Sequence, residues 1–176
     1  WSPDGKWITY VTQLDPHLFD YATRHVALSP ATGGGPVKVL TLTLDRNADE
    51  PHWSSDGRIF FIADDDGTRR LYTVDPTTGA IIFGGGQNGE RPPVGGRLTV
   101  NGYSIGNGST ANVAAQISTL ERPDEIFSVI GGKLTQITHM TDALMDQLKL
   151  SHGAYVHFKS KDGTIVAGYL YKPLEY

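Results

Sequence analysis

One segment returns within the chain: WSPDGKWITYV, from Trp1, reappears as WSSDGRIFFIA, from Trp53, at a spacing of 52 residues. Trp, Ser, Asp, Gly and a basic residue recur in register, and each time a β-prone run follows. A repeat of this kind restricts the fold more than any single motif, because each copy must form the same supersecondary unit and bury its open face on a neighbour. Asp-Gly supplies a hydrogen-bonding side chain and a residue tolerant of positive φ, so each copy predicts a tight turn between two antiparallel strands.

The units can be followed further. RHVALSP, with Arg24, and RRLYTVDP, with Arg70, predict a third strand in each, and the apolar runs Val37 to Leu42 and Ala80 to Phe83 a fourth. DEIFSVIGGKLTQIT, Asp124 to Thr138, repeats the order of apolar strand, glycine turn and apolar strand in a third unit, whose turn region RLTVNGYSIGNG lacks the Trp. β-branched and aromatic residues alternating with polar ones dominate, as in Trp7 to Gln13, Arg58 to Ala63 and Thr164 to Tyr171. Helical spacing is confined to TDALMDQLKL, with Thr141 as N-cap and Leu144 and Leu148 on one side. Units of roughly 40 to 50 residues with four short strands each are the signature of propeller blades. The fold expected is all-β: a partial β-propeller of about three four-stranded antiparallel blades over 1–140, the first entered mid-blade, then a connector and a C-terminal β-hairpin over 141–176.

Composition excludes several functions. A formal net charge of −4 with scattered Lys and Arg leaves no concentrated basic face for phosphates, so nucleic acid is not an expected partner. No apolar run approaches the roughly 18 residues that span a bilayer, and WSPDGKW has neither region of a signal peptide, so a cytoplasmic location without membrane contact is expected. The chain has no cysteine, which removes disulfides, thiolate metal sites and cysteine nucleophiles.

GYSIG, Gly102 to Gly106, fits the G-x-S-x-G pattern of a nucleophile elbow, and Ser104, Asp142 or Asp146, and His152 follow in the order of an α/β-hydrolase triad. An elbow needs a helix immediately after the serine, and the residues here are Asn107, Gly108, Ser109 and Thr110, which oppose helix initiation. Ser104 is therefore read as part of a glycine-rich turn between strands of the third blade. Asp64, Asp65, Asp66 and Gly67 lack the alternate ligands and distal Glu of a calcium loop and read as a solvated hairpin turn. The six histidines form no HExxH pattern, with His152 and His157 read as surface or packing residues. The GGG stretches at 33–35 and 84–86 lack the Lys-Ser/Thr ending of a P-loop and read as turns. Trp1, Trp7 and Trp53 are expected to wedge between blades as core rather than to form a ligand shelf. No catalytic, cofactor-binding or metal-ligating residue is expected in this chain.

WSPDGK and DEPHWSSDGR resemble the blade repeats of TolB-type propellers and of the prolyl oligopeptidase family of serine peptidases. The order ERPDEIFSV, KLTQIT, DALMDQLKL and AYVHFKSKDGTIVAGYLYKP is similar to the end of the propeller and the entry to the hydrolase domain in that family's acylaminoacyl-peptidase and dipeptidyl-peptidase-like branch. The resemblance implies a propeller that gates access of short or N-acylated peptides to a hydrolase domain, joined in cis after Tyr176, which carries the catalytic Ser, Asp and His. The alternative it leaves open is a non-enzymatic TolB-like propeller that binds a protein partner. Three blades cannot close a ring, so self-association of this chain is also expected.

Overall fold

A Ser-x-Asp-Gly turn sets each hairpin. In Ser2-Pro3-Asp4-Gly5 the Ser2 hydroxyl donates to Asp4 Oδ1 at 2.7 Å, and the same Asp4 oxygen accepts the Lys6 amide. In the second copy the Ser54 hydroxyl donates to Asp56 while the Gly57 amide closes on the Ser54 carbonyl at 3.0 Å. Gly5 and Gly57 sit at φ +70° and +83°, where a side chain would be strained. A third copy, Ser160-Lys161-Asp162-Gly163, closes the C-terminal hairpin with the same Ser-to-Asp bond and Gly163 at φ +87°. In this copy the residue before the serine is Lys159 rather than Trp.

These turns organise the strands of a computed structural model that describes residues 1–18, 21–83, 98–108, 111–130 and 133–174. The first sheet contains β1 (Trp7–Gln13), β2 (Arg24–Pro30) and β3 (Lys38–Val39) in that order. The second is β4 (Ala48–Trp53), β5 (Ile59–Asp65), β6 (Thr68–Val74) and β7 (Ile81–Phe83). The third is β8 (Thr99–Ile105), β9 (Val113–Ser118), β10 (Glu125–Ile130) and β11 (Lys133–Gln136). All neighbours are antiparallel, and a separate hairpin, β12 (Ala154–Lys159) with β13 (Ile165–Leu170), follows. Between β11 and β12 lies one short helix, α1 (Asp142–Met145). The all-β architecture of several antiparallel sheets is the one the repeats predicted. Glycines 84–86 lie outside the described residues.

The core explains why the middle sheet is the most apolar. Side chains alternate along β5, so Ile59, Phe61 and Ala63 face the first sheet with Val26, Leu28 and Leu40, while Phe60 and Ile62 face the third with Val100, Val113, Ala115, Ile117 and Val129. A strand covered on both faces needs an unbroken apolar run, and IFFIA is that run. Among the described residues the third sheet is covered on one face, so β9 alternates buried Val113, Ala115 and Ile117 with exposed Ala114 and Gln116.

Polar ties reinforce the stack. The Arg24 guanidinium on β2 donates twice to Asp49 on β4, at 2.8 and 2.7 Å, and so links the first two sheets. The tryptophans depart from expectation. Trp53 packs against the cluster between the first and second sheets, but Trp1 is 72% and Trp7 36% exposed, because among the described residues no sheet covers them. No helix of the described residues is long and apolar enough to cross a membrane.

Candidate functional site

Ser104 stands on β8, opposite Ala114 of β9, and not in a turn as the sequence suggested. Its neighbours Tyr103 and Ile105 pack toward the second sheet, so Ser104 projects from the opposite, uncovered face and is exposed. β8 ends at Ile105, β9 begins at Val113, and among the described residues no helix follows the serine. The other members of the apparent triad are engaged elsewhere. Asp142 and Asp146 each accept from Arg122 at 2.8 Å, and His152 pairs with Glu121 at 3.0 Å.

Tyr103 accounts for the pentapeptide better than Ser104 does. A register shift between Val100 and Gly102 re-aims the strand, and the Tyr103 hydroxyl then donates across the sheet boundary to the backbone carbonyls of Phe60, at 2.9 Å, and Glu50. The His52 ring meets Tyr103 edge-on at 5.4 Å. Burial, with the Glu50 carboxylate adding to it, pushes the Tyr103 phenol well above its ordinary value, so it stays a proton donor at any physiological pH. Tyr103→Phe is expected to cost about 1–3 kcal/mol, the penalty of leaving partly buried carbonyls without their donor, read as a lower urea midpoint at unchanged m.

The acidic run at 64–66 is a hairpin turn, as predicted, with Asp66 and Gly67 at φ +53° and +77°, but its carboxylates are paired rather than simply solvated. Asp65 takes Arg70 at 2.7 Å, Arg46 at 3.7 Å and the Tyr72 hydroxyl at 2.9 Å. Asp64 faces Arg69 at 3.6 Å, and Asp66 accepts the hydroxyl of Tyr155 from β12. The Tyr169 ring lies so close to Gly67 that a Cβ there would meet it at 3.0 Å. Through Tyr155 and Tyr169 the C-terminal hairpin thus rests on the β5–β6 turn.

The best-built polar site holds the connector between the third sheet and this hairpin. Glu125, at the start of β10, is 5% exposed. Its carboxylate accepts the Thr138 hydroxyl at one oxygen and both the amide and hydroxyl of Thr141 at the other, each of the latter at 2.8 Å. Thr141 was expected to cap the helix with its hydroxyl; that hydroxyl is spent on Glu125 instead, and α1 is a single turn. Four residues before, Glu121 pairs with His152, and Arg122 grips Asp142 of α1 and Asp146 just after it, with His139 closing on Asp142 at 2.6 Å. A cleft of about 380 Å³ lies beside these pairs, lined by Glu121, Arg122, Met145, Leu148, His152 and Leu174 among others. Sequence reasoning missed Glu125, because its partners arrive from 13 and 16 residues downstream.

The hydrogen bonds from Thr138, then from Thr141, hold the Glu125 carboxyl down at about 2 against an ordinary 4.5. A depressed carboxylate stabilises the folded form above its unfolded value and loses that contribution as pH falls through the folded one. The connector is therefore expected to stay anchored down to pH 4.5 and to loosen progressively between there and about 2. Exchange of the Thr141 amide followed by NMR across that range checks this, and Glu125→Gln should show fast exchange already at neutral pH.

Among the described residues the arrangement is one of anchoring: strands and a connector fixed to one another, with Asp142, Asp146 and His152 engaged by Arg122 and Glu121. Scanned against models of protein families, the chain matches none. It is 29% identical over 129 residues to dipeptidyl-peptidase 5 of Trichophyton equinum, a match covering 70% of this chain and 17% of that protein. To dipeptidyl-peptidase 5 of Trichophyton schoenleinii it is 32% identical over 74 residues, 42% of this chain and 10% of the other. The chain thus spans less than a fifth of the length of these relatives. Among solved structures it resembles an acylaminoacyl peptidase in complex with Z-Gly-Gly-Phe-chloromethyl ketone, with a TM-score of 0.76 and 19% identity over 97% of this chain and 24% of that one. It also resembles the β-propeller domain of the Trilobed protease from Pyrococcus furiosus, with a TM-score of 0.57 and 20% identity over 77% of this chain and 38% of the other. Sheet architecture and repeats agree with these likenesses: the chain has the fold of a β-propeller segment and is similar in sequence to part of dipeptidyl-peptidase 5.

Proposed function

We propose that this segment belongs to a serine peptidase in which the propeller restricts access of short or N-acylated peptides to a hydrolase domain joined in cis, and that bond cleavage is carried by residues outside these 176. The observation that carries the reading is the likeness to dipeptidyl-peptidase 5 over 70% of the chain. Two further observations support it. The solved whole peptidase is matched over 97% of this chain and the propeller domain alone over 77%, a difference of the size of the connector and hairpin, 141–176. Within that stretch the hairpin forms its own two-stranded sheet and joins none of the three larger sheets.

In this reading residues 1–140 form the blades, and 141–176 are the connector and lead-in. The chain's own part is to hold that lead-in in place, through Glu125 on the connector and through Tyr155 and Tyr169 on the hairpin. The hydrolase domain would supply the serine nucleophile, histidine base and orienting aspartate of an acyl-enzyme mechanism.

The experiment is to read the gene beyond Tyr176 and to label the full-length product with a fluorophosphonate. A downstream G-x-S-x-G followed by helix, labelled there and not at Ser104, is the expected result. Labelling at Ser104 that disappears in Ser104→Ala would overturn it, and a stop or a further blade after Tyr176 would return the binding-propeller reading. Gating is tested separately, by kcat/KM on peptides of increasing length, and equal turnover of long, folded chains would sink it.

A further inference from the structure

Asn-Gly is the dipeptide in which a backbone nitrogen, unshielded by a side chain of its own, can reach the carbonyl carbon of the preceding Asn side chain. Asn101-Gly102 lies inside β8 and Asn107-Gly108 just beyond its end, and the fold treats the two differently. A third pair, at 88–89, lies outside the described residues.

Inside β8 both reacting groups are held. The Asn101 side-chain amide donates to Ser118 Oγ at 3.0 Å and to Asp124 Oδ1 at 2.6 Å. The Gly106 amide donates to the Asn112 carbonyl at 2.8 Å, and alternation along the antiparallel ladder turns the amides of Ser104 and Gly102 toward β9 as well, with Gly102 opposite Gln116. Attack of the Gly102 nitrogen on the Asn101 side chain would first have to break these bonds.

Beyond the strand the restraint ends. Asn107 and Gly108 are exposed and form a bend outside the ladder. Among the described residues no hydrogen bond engages the Asn107 side chain or the Gly108 amide. What fixes the bend is the Gly108 carbonyl, which accepts the Ser55 hydroxyl at 2.5 Å. That bond is a tie between sheets, because Ser55 belongs to the Ser-x-Asp-Gly turn of the second sheet and Gly108 follows the first strand of the third.

We propose that Asn107 is a site of hydrolytic modification, converted by water to aspartate and isoaspartate, and that the isoaspartate unties the third sheet from the turn of the second. The Gly108 nitrogen gives up its proton to hydroxide and bonds to the Asn107 side-chain carbonyl carbon, and ammonia leaves, closing a cyclic imide. Water then opens the ring. Cleavage at the side-chain carbonyl restores the ordinary backbone with an aspartate at 107, and cleavage at the main-chain carbonyl leaves the chain running through the side chain. In sum, the side-chain amide and a water give a carboxylate and ammonia. Both products place a new negative charge on the bend, and the isoaspartate also inserts a methylene into the backbone beside Gly108, which displaces the carbonyl that Ser55 holds.

The proposal stands apart from the peptidase reading, and its test uses the 176-residue protein. Incubated in mildly alkaline buffer and mapped by peptide mass spectrometry, the folded protein should convert at Asn107 at a rate that rises with hydroxide and is at least about tenfold faster than at Asn101, whose hydrogen bonds must open first. In urea the two pairs should convert at comparable rates. Methyl transfer from S-adenosylmethionine by an isoaspartyl methyltransferase should label the peptide that contains position 107. Separated by charge, the isoaspartate form should unfold at a lower urea midpoint than the parent, and in Ser55→Ala that difference should vanish. Equal rates at Asn101 and Asn107 in the folded protein, or a rate at Asn107 that unfolding accelerates as much as at Asn101, would overturn the site. A midpoint unchanged by conversion would overturn the untying.

Discussion

Phe61→Ala is expected to cost about 3–5 kcal/mol, a large part of the roughly 5–15 kcal/mol that holds a domain of this size together. Phe61 is fully buried at the centre of β5, and its ring stacks on Tyr72 with centroids 5.4 Å apart and planes at 18°. It faces the cluster that joins the first sheet to the second, so truncation opens a cavity at the contact between sheets rather than within one. The neighbouring strands are fixed by ladder hydrogen bonds on both sides of β5, which limits how far they can collapse into the space. Urea denaturation should show a lower midpoint with little change in slope, and the loss should be cooperative across probes in the first and second sheets. Ile126→Ala supplies the contrast: Ile126 is 38% exposed on the uncovered face of the third sheet, and its loss should stay within about 0.5 kcal/mol.

The contrast between Phe61 and Ile126 marks what the sequence could and could not reveal. The strand order was legible because turn chemistry is local: Ser, Asp and Gly within four residues dictate the hairpin wherever they occur, and the apolar run after each copy marks the returning strand. Burial of β5 on both faces departs from the alternation expected for Arg58 to Ala63, since Ile59 to Ala63 are all buried and IFFIA leaves no position for solvent. The fate of the tryptophans was not legible, because whether an indole is covered depends on which sheet stands over it. Trp53 finds a neighbour where Trp1 and Trp7 do not.

Ser104 was misplaced for a subtler reason. The glycines at 102, 106 and 108 dominate GYSIGNG and suggest a turn, yet the alternation of buried Val100 and inward Tyr103 and Ile105 about a bulge is that of a strand. The anchoring site was illegible altogether. Glu125, Arg122 and Glu121 look like ordinary surface charges beside a strand, and only the fold brings Thr138, Thr141, Asp142, Asp146 and His152 to them.

Asp65→Ala is the second substitution with a large expected effect, about 2–4 kcal/mol, which would be unexplained if the carboxylate were merely a solvated turn residue. Asp65 lies at the end of β5 on the face of Phe61, with its side chain one-fifth exposed, and Arg70 beside it is no more exposed. The carboxylate neutralises Arg70 at 2.7 Å and accepts the hydroxyl of Tyr72, whose body is buried under the first sheet. Arg46, at 3.7 Å, reaches it from the link between the first and second sheets. Removing one partner from such a group costs more than the pair contributes net, since the remaining cation keeps its desolvation without its counter-charge. Burial first, and then the bond to Asp65, pushes the Tyr72 phenol far above its ordinary value, so the tyrosine remains neutral and cannot compensate for the lost anion in any way. Asp65→Asn separates the two contributions: it keeps an acceptor for Tyr72 while deleting the charge, so it should recover part of the loss and no more. A double-mutant cycle of Asp65→Ala with Arg70→Met, read by urea unfolding, should give a coupling well above the roughly 0–1 kcal/mol of an exposed pair. A coupling at or below that range would show that the turn stands without its network.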